Sequence, residues 1–280
     1  MIMKSVKKKI ALVWGLENEL MKENDLFIKG IRLDKQLPKG NYLNDLSVIK
    51  NLRKTGGVSF EKPITFLVGE NGIGKSTLIE AIAVQCRFNA EGGSRNYNFS
   101  TKQTHSALCD YLTVVKGFRY PSWGYFLRAE SFYNTTSYID YLVIERESDN
   151  DYVDYMRKQE VAENSCSSHN MSHGESFLRA VKSFEGNGLY ILDEPESALS
   201  PNGIMKLMCY MQKLVDKGAQ FIISTHSPIL ITMPNSAIYQ ITKDGFDKVS
   251  YKETEHYMLT KSFLNNPERM LKYLFDDEDD

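Results

Sequence analysis

The chain has 280 residues, 42% of them apolar and 25% charged, with a formal net charge of −2. That balance suits one large domain with a sizeable core, excludes a disordered or wholly membrane-embedded chain, and sets up no overall field that would attract nucleic acid. Four scattered cysteines, Cys86, Cys109, Cys166 and Cys209, form no CxxC pair, which reads as reduced thiols in a cytoplasmic protein without a zinc site.

Lys7, Lys8 and Lys9 precede the apolar run Ile10 to Leu16. The order is that of a signal peptide, but the run is short and Glu17, Glu19 and Lys22 follow without a small-residue cleavage site. An amphipathic surface helix or strand is the better reading. No apolar run approaches the ~18 residues of a membrane span. Ile64 to Val68 is a short buried strand that stops at Gly69, and a helix follows from Lys75 to about Arg87, apolar nearly all round. Residues 90–187 are polar, aromatic and less periodic, and part of this interval is expected to be a helical lid inserted in the core. Leu189 to Leu192 is a second buried strand. Ile204, Leu207, Met208, Met211, Leu214 and Val215 recur at helical spacing, with Gly218 placed to end the helix. Phe221 to Ile223 is the next strand, and Asp244-Gly245 predicts a hairpin. Alternating strands and helices imply an α/β domain spanning 1–280, with a mixed, largely parallel central sheet and flanking crossover helices.

Gly69-Glu70-Asn71-Gly72-Ile73-Gly74-Lys75-Ser76 fits G-x-x-x-x-G-K-[ST], and Thr77 continues into the helix. Gly72 and Gly74 let backbone N–H groups converge on phosphate oxygens. Lys75 brings a point charge to the β- and γ-phosphates. The Ser76 hydroxyl can ligate Mg²⁺, and the helix N-terminus faces the anion. The ligand expected is therefore ATP with Mg²⁺. The second strand ends in Asp193-Glu194-Pro195. Two acids at the end of a buried strand are costly unless they face a metal or water. In a P-loop ATPase the first holds Mg²⁺ and the second activates the attacking water, which assigns Asp193 and Glu194.

The segment Asp193-Glu194-Pro195-Glu196-Ser197-Ala198-Leu199-Ser200-Pro201 resembles the Walker B and D-loop stretch of ABC-type ATPases. Met171-Ser172-His173-Gly174-Glu175-Ser176 is similar to their signature motif, and Ser224-Thr225-His226-Ser227-Pro228 to their switch histidine. The motifs come in the family's order between Gly69 and Pro228. The Gly-Glu ending of the signature is closer to SMC/RecF-type heads than to transporter subunits. With Tyr125 to Phe132, the set resembles a group of small stand-alone bacterial AAA/ABC-like ATPases.

The resemblance implies an ABC-type head fold. It implies a homodimer that sandwiches two ATPs, with Ser172, His173, Gly174 and Glu175 completing the partner's site and His226 contacting the γ-phosphate in cis. His173 departs from the transporter signature's first glycine. The Q-loop glutamine has no evident counterpart; Glu130, after its strand, is the candidate there and a candidate Mg²⁺ ligand, with Arg128 as a possible ion-pair partner. Ser172-x-x-Glu175 is also a capping box for a helix burying Phe177, Leu178, Val181 and Phe184.

Three functions compete: a soluble SMC/RecF-like ATPase, a transporter's ATP-binding subunit, and a nucleotide-gated clamp with little turnover. Only about 100 residues separate Gly69 from Ser172, too few for a long coiled-coil arm. DNA repair and phage defence are roles by analogy, served through a separate effector chain.

Overall fold

The structure is a computed structural model that describes residues 26–90, 92–94, 106–128 and 173–276. The segment at Ile10–Leu16, Glu130 and Ser172 lie outside them. In chain order the regular elements are β1 (Ile28–Leu33), α1 (Ser47–Thr55), β2 (Val58–Ser59), β3 (Ile64–Gly69), α2 (Lys75–Gln85), β4 (Gly93–Ser94), β5 (Leu112–Lys116) and β6 (Trp123–Arg128). Then come α3 (His173–Lys182), β7 (Gly188–Asp193), α4 (Pro201–Val215), β8 (Gln220–Ser224), β9 (Ser236–Ile241), β10 (Phe246–Val249), α5 (Glu255–Asn265) and α6 (Pro267–Asp276).

The central sheet has the order β10-β9-β3-β8-β7-β6-β4. Its five inner strands are parallel, and the two edges, β10 and β4, pair antiparallel. Every residue of β3, β7 and β8 is buried, as a parallel sheet covered on both faces requires. Alternation along each strand sorts the side chains into two apolar clusters. Leu67, Leu189, Ile191 and Ile222 meet α1, α2 and the small sheet. Phe66, Val68, Tyr190, Leu192, Phe221 and Ile223 meet α3 and α4. The first cluster explains why α2 is apolar all round: Leu78, Ile79, Ala81, Ile82 and Ala83 are all at most 1% exposed.

The expected hairpin is present as β9–β10, with Thr242 N–H donating to Gly245 O across the turn. The Asn51 side chain on α1 donates to both Thr242 O and Gly245 O, at 2.8 and 3.0 Å. Gly218, at φ 91°, follows α4 in the left-handed conformation expected of a helix stop. The interval 90–187, part of which is expected to be a lid, also contains three strands. β4 and β6 are strands of the central sheet, and β5 belongs to a separate antiparallel sheet, β2-β1-β5. Apolar residues of β5 and β6, such as Val114 and Phe126, pack into the common core, which a free-standing helical insertion would not supply. The stretch that remains for a lid, 129–172, lies outside the described residues.

One side chain splices the two sheets. Gln220, at the start of β8 and 1% exposed, accepts from Ile28 N–H at 2.9 Å and donates to Ile28 O at 2.8 Å. It thereby acts as a strand neighbour to β1. Replacing it by Leu strands one buried donor and one buried acceptor, each costing about 1–3 kcal/mol. Gln220→Leu should therefore lower the unfolding free energy by roughly 2–6 kcal/mol in urea titration; an unchanged midpoint would mean the two sheets do not rely on this splice.

Candidate nucleotide-binding and hydrolysis site

The site is built at the C-terminal ends of the parallel strands. Between β3 and α2, Gly72 and Gly74 adopt φ 78° and 102°, which L-residues with a Cβ rarely reach. At Gly74 a Cβ would also stand 2.6 Å from Val48 Cγ1, because Val48 N–H at the start of α1 donates to Ile73 O. The loop is thus clamped from outside by α1.

Lys75 opens α2 and is 4% exposed. Its Nζ donates to Gly69 O and Glu70 O, both at 2.8 Å, which holds the ammonium across the mouth of the loop. Burial lowers its pKa, and the charges of Glu194, Asp193 and Glu196 oppose that shift. Three carboxylates thus surround one lysine, a field that a bound polyphosphate would strengthen.

Strand parity explains the next cluster. Arg128, Asp193 and Ser224 end β6, β7 and β8 on the α2 face, in step with Phe126, Ile191 and Ile222. Asp193 is 5% exposed. Its Oδ1 accepts from Ser76 Oγ at 3.2 Å and from Ser224 Oγ. Burial raises its pKa; the two serine hydrogen bonds and the Arg128 charge pull the other way. Ser76 and Asp193, expected as metal ligands, already touch. Their hard oxygens fit Mg²⁺, which takes one or two protein ligands and keeps several waters. Arg128 Nη1 lies 3.0 Å from Glu80 Oε2 on α2, and Glu80 Oε1 also accepts from Ser106 N–H; Glu130, its expected partner, lies outside the described residues.

Glu194 would continue β7 toward the other face, but it takes φ 48°, ψ 55°. A non-glycine residue held there costs about 1–3 kcal/mol. Its N–H donates to Ser224 O and its Oγ, which helps hold the conformation. The carboxylate turns toward His226, with Oε1 3.5 Å from Nε2. At that length the contact is an ion pair only if the ring is charged. Burial, with the nearby Lys75 and His256, lowers the His226 pKa to about 4, so the imidazole is neutral at pH 7. The loop carrying His226 is fixed in turn: Thr225 N–H donates to Leu67 O, His226 N–H to Glu196 Oε1, and Ser227 N–H to Thr225 Oγ1.

The structure therefore gathers Gly69 to Ser76, Asp193, Glu194 and His226. The backbones of His173, Gly174 and Glu175 start α3, and Glu175 is exposed. Three neighbours carried no sequence assignment. Ser224 and Glu196 sit inside quoted motifs, where hydrogen-bonding side chains beside an acid and a histidine were the available signal. His256, 30 residues from His226 in sequence, gave none. Among the described residues no group of three or more His, Cys, Asp and Glu is arranged as a metal cluster, and no helix is long and apolar enough to cross a membrane.

The family comparisons fall on the segments that build this site. A model described as "AAA domain" matches residues 48–117, covering the clamp, the loop and α2. A second, described as "AAA domain, putative AbiEii toxin, Type IV TA system", matches residues 176–232, covering β7, β8 and the histidine loop. Comparison with curated proteins found no match. Among solved structures, a chain of an inward-facing ABC transporter aligns over 84% of this chain and 88% of its own, at 14% identity and TM-score 0.41. CbiO1 from Clostridium perfringens, part of the ABC transporter complex cbiONQ, aligns over 90% and 100%, at 14% identity and TM-score 0.42. The phosphate loop and the two matched segments make the chain similar to AAA domains of the P-loop type over the parts that build this site.

The neutral histidine gives a pH dependence of known sign. His226 has a folded pKa below its unfolded value, so the unfolded chain binds more protons between about pH 6.5 and pH 4. The stability it contributes is full above the upper value and is lost as the pH falls toward the lower one. Asp193 and Glu196, with raised values, act in the opposite sense at acid pH. His226→Asn should flatten the fall in unfolding free energy across that window, measured by urea titration at several pH values. A slope identical to wild type would mean the imidazole titrates normally.

Proposed function

We propose that this protein hydrolyses Mg·ATP as a soluble SMC/RecF-like ABC-type ATPase that dimerises around the nucleotide. The observation that carries the proposal is the juxtaposition of Glu194 and neutral His226, 3.5 Å apart, beside an Asp193–Ser76 contact ready for a divalent ion. A simple phosphate-binding domain has no use for that pair.

The roles follow from the geometry. Backbone N–H groups of the loop and the start of α2 would hold the phosphate oxygens. Mg²⁺ on Ser76 and Asp193 would neutralise charge developing at the β,γ-bridge. Lys75 adds a fixed cation on the same phosphates. Glu194 is the base: its left-handed backbone aims the carboxylate away from the strand, where it can accept the proton of an attacking water. His226 would contact the γ-phosphate through Nε2, a buried nitrogen with no hydrogen-bond partner among the described residues. Ser172, His173, Gly174 and Glu175 serve the partner's site, and the start of a helix is where such a contact is best made.

The ATP cycle drives a separate effector chain, in phage defence or DNA repair; the model matched at 176–232 bears a toxin–antitoxin description. A cytoplasmic location fits this reading.

Lys75→Ala should weaken Mg·ATP binding by about 10–100-fold, the equivalent of one charge-assisted hydrogen bond, in isothermal calorimetry. Wild-type affinity would remove the phosphate-loop assignment.

Glu194→Gln should bind Mg·ATP normally and hydrolyse it about 10²–10⁴-fold more slowly, because an amide cannot take the proton. Light scattering of this variant with Mg·ATP should give a mass near twice the 32.1 kDa chain, and a smaller species without nucleotide. Wild-type turnover would exclude Glu194 as the base; the same dimer without nucleotide would exclude ATP-gated association alone.

A further inference from the structure

The catalytic histidine has a second histidine behind it. His256 lies in the first turn of α5, far from the nucleotide motifs in sequence. Its Nε2 is 3.3 Å from His226 Nδ1, and the rings meet edge to face with centroids 4.9 Å apart and planes at 74°. The helix that carries it is firmly started. Thr254, fully buried, donates its hydroxyl to Tyr251 O at 2.7 Å and accepts Met258 N–H at its carbonyl. The preceding turn is closed by a capping box between Ser250 and Glu253. His256 is therefore delivered to His226 by a fixed backbone.

The pair can be ordered in only two ways when both rings are neutral. If His226 donated from Nδ1, its Nε2 would carry a lone pair facing the Glu194 carboxylate 3.5 Å away, and lone pair would oppose anion. If His256 donates from Nε2, His226 accepts at Nδ1 and keeps its proton on Nε2. That N–H then lies 3.5 Å from Glu194 Oε1 without a hydrogen-bond partner of its own among the described residues, which leaves it for a phosphate oxygen. Electrostatics select the second arrangement.

We propose that His256 is a positioning residue for hydrolysis: its Nε2–H donates to His226 Nδ1 and fixes both the ring orientation and the Nε2–H tautomer that the phosphate contact requires. This rests on the ATPase reading for its catalytic consequence, but the tautomer itself does not. His256 also lines a cavity of about 230 Å³ whose other walls include Gly69, Glu70, Gln240 and Thr242. The start of α5 and the phosphate loop thus face a common space.

The test compares wild type, His256→Phe and His256→Gln in the full chain. Phe keeps a planar ring and cannot donate; Gln places an amide N–H near the lost Nε2–H. Long-range ¹⁵N–¹H NMR on the His226 ring reads the tautomer directly. Wild type should show Nε2–H alone, His256→Phe a mixture or the Nδ1–H form, and His256→Gln a return to Nε2–H. In steady-state ATP hydrolysis His256→Phe should lower kcat about tenfold, the scale of one hydrogen bond, with KM within about twofold, and His256→Gln should recover most of kcat. A wild-type His226 carrying its proton on Nδ1 overturns the proposal, as does a His256→Phe variant with unchanged tautomer and kcat. If the Phe variant does not fold, the wild-type tautomer and the Gln variant still decide. If wild type has no ATPase activity, the functional reading fails, while the NMR arm still judges the positioning.

Discussion

The buried carboxylate of Asp193 is the point on which the site depends. A carboxylate at 5% exposure is costly to desolvate, and here it is held by two hydroxyls, from Ser76 on α2 and Ser224 on β8. Those two bonds tie the phosphate-loop helix to two neighbouring strands of the sheet. They also preset the distance between the two oxygens suited to a divalent ion. The arrangement loses much of its purpose if either serine moves, and both are fixed by elements that are themselves part of the core: α2 packs at most 1% exposed along its inner residues, and β8 is buried throughout.

From that anchor the remaining chemistry is placed by backbone geometry. Strand alternation puts Arg128, Asp193 and Ser224 on the α2 face. A regular strand would send Glu194 to the opposite face, into the cluster around Leu192 and Phe221. The left-handed turn at Glu194 prevents that and turns its carboxylate to His226. Local strain at this residue is the structural condition for two adjacent acids to do different work, one buried and hydrogen-bonded to serines, the other partly exposed and beside a histidine. Glu196 extends the same logic, since its carboxylate receives the His226 N–H and fixes the loop from below.

The periphery is attached to this centre by polar splices rather than by apolar packing alone. Gln220 joins the small sheet to β8, Asn51 joins α1 to the β9–β10 turn, and His256 joins the C-terminal helices to the histidine loop. Each is directional, so each specifies a register that interchangeable apolar contacts would leave loose. Met258, Leu259, Leu264, Leu274 and Phe275 on α5 and α6 are exposed, whereas the contact through His256 is polar.

The sequence by itself determined the phosphate loop, the Asp193–Glu194 pair, the buried strands around them and the hairpin at Asp244-Gly245, because each is encoded locally. Glycines at a fixed spacing, an apolar run ending in acids, and a turn dipeptide all depend on neighbours within a few residues. It pointed to a lid in part of 90–187, an interval whose weak periodicity also hides β4, β5 and β6, strands that take their partners far away in sequence. Only the tertiary structure decided that Arg128 meets Glu80, that Ser224 meets Asp193, and that His256 meets His226. A lone histidine at the start of a helix has no periodicity or motif to mark it. Its partner, His226, lies 30 residues away in sequence, a separation that no short window of sequence spans.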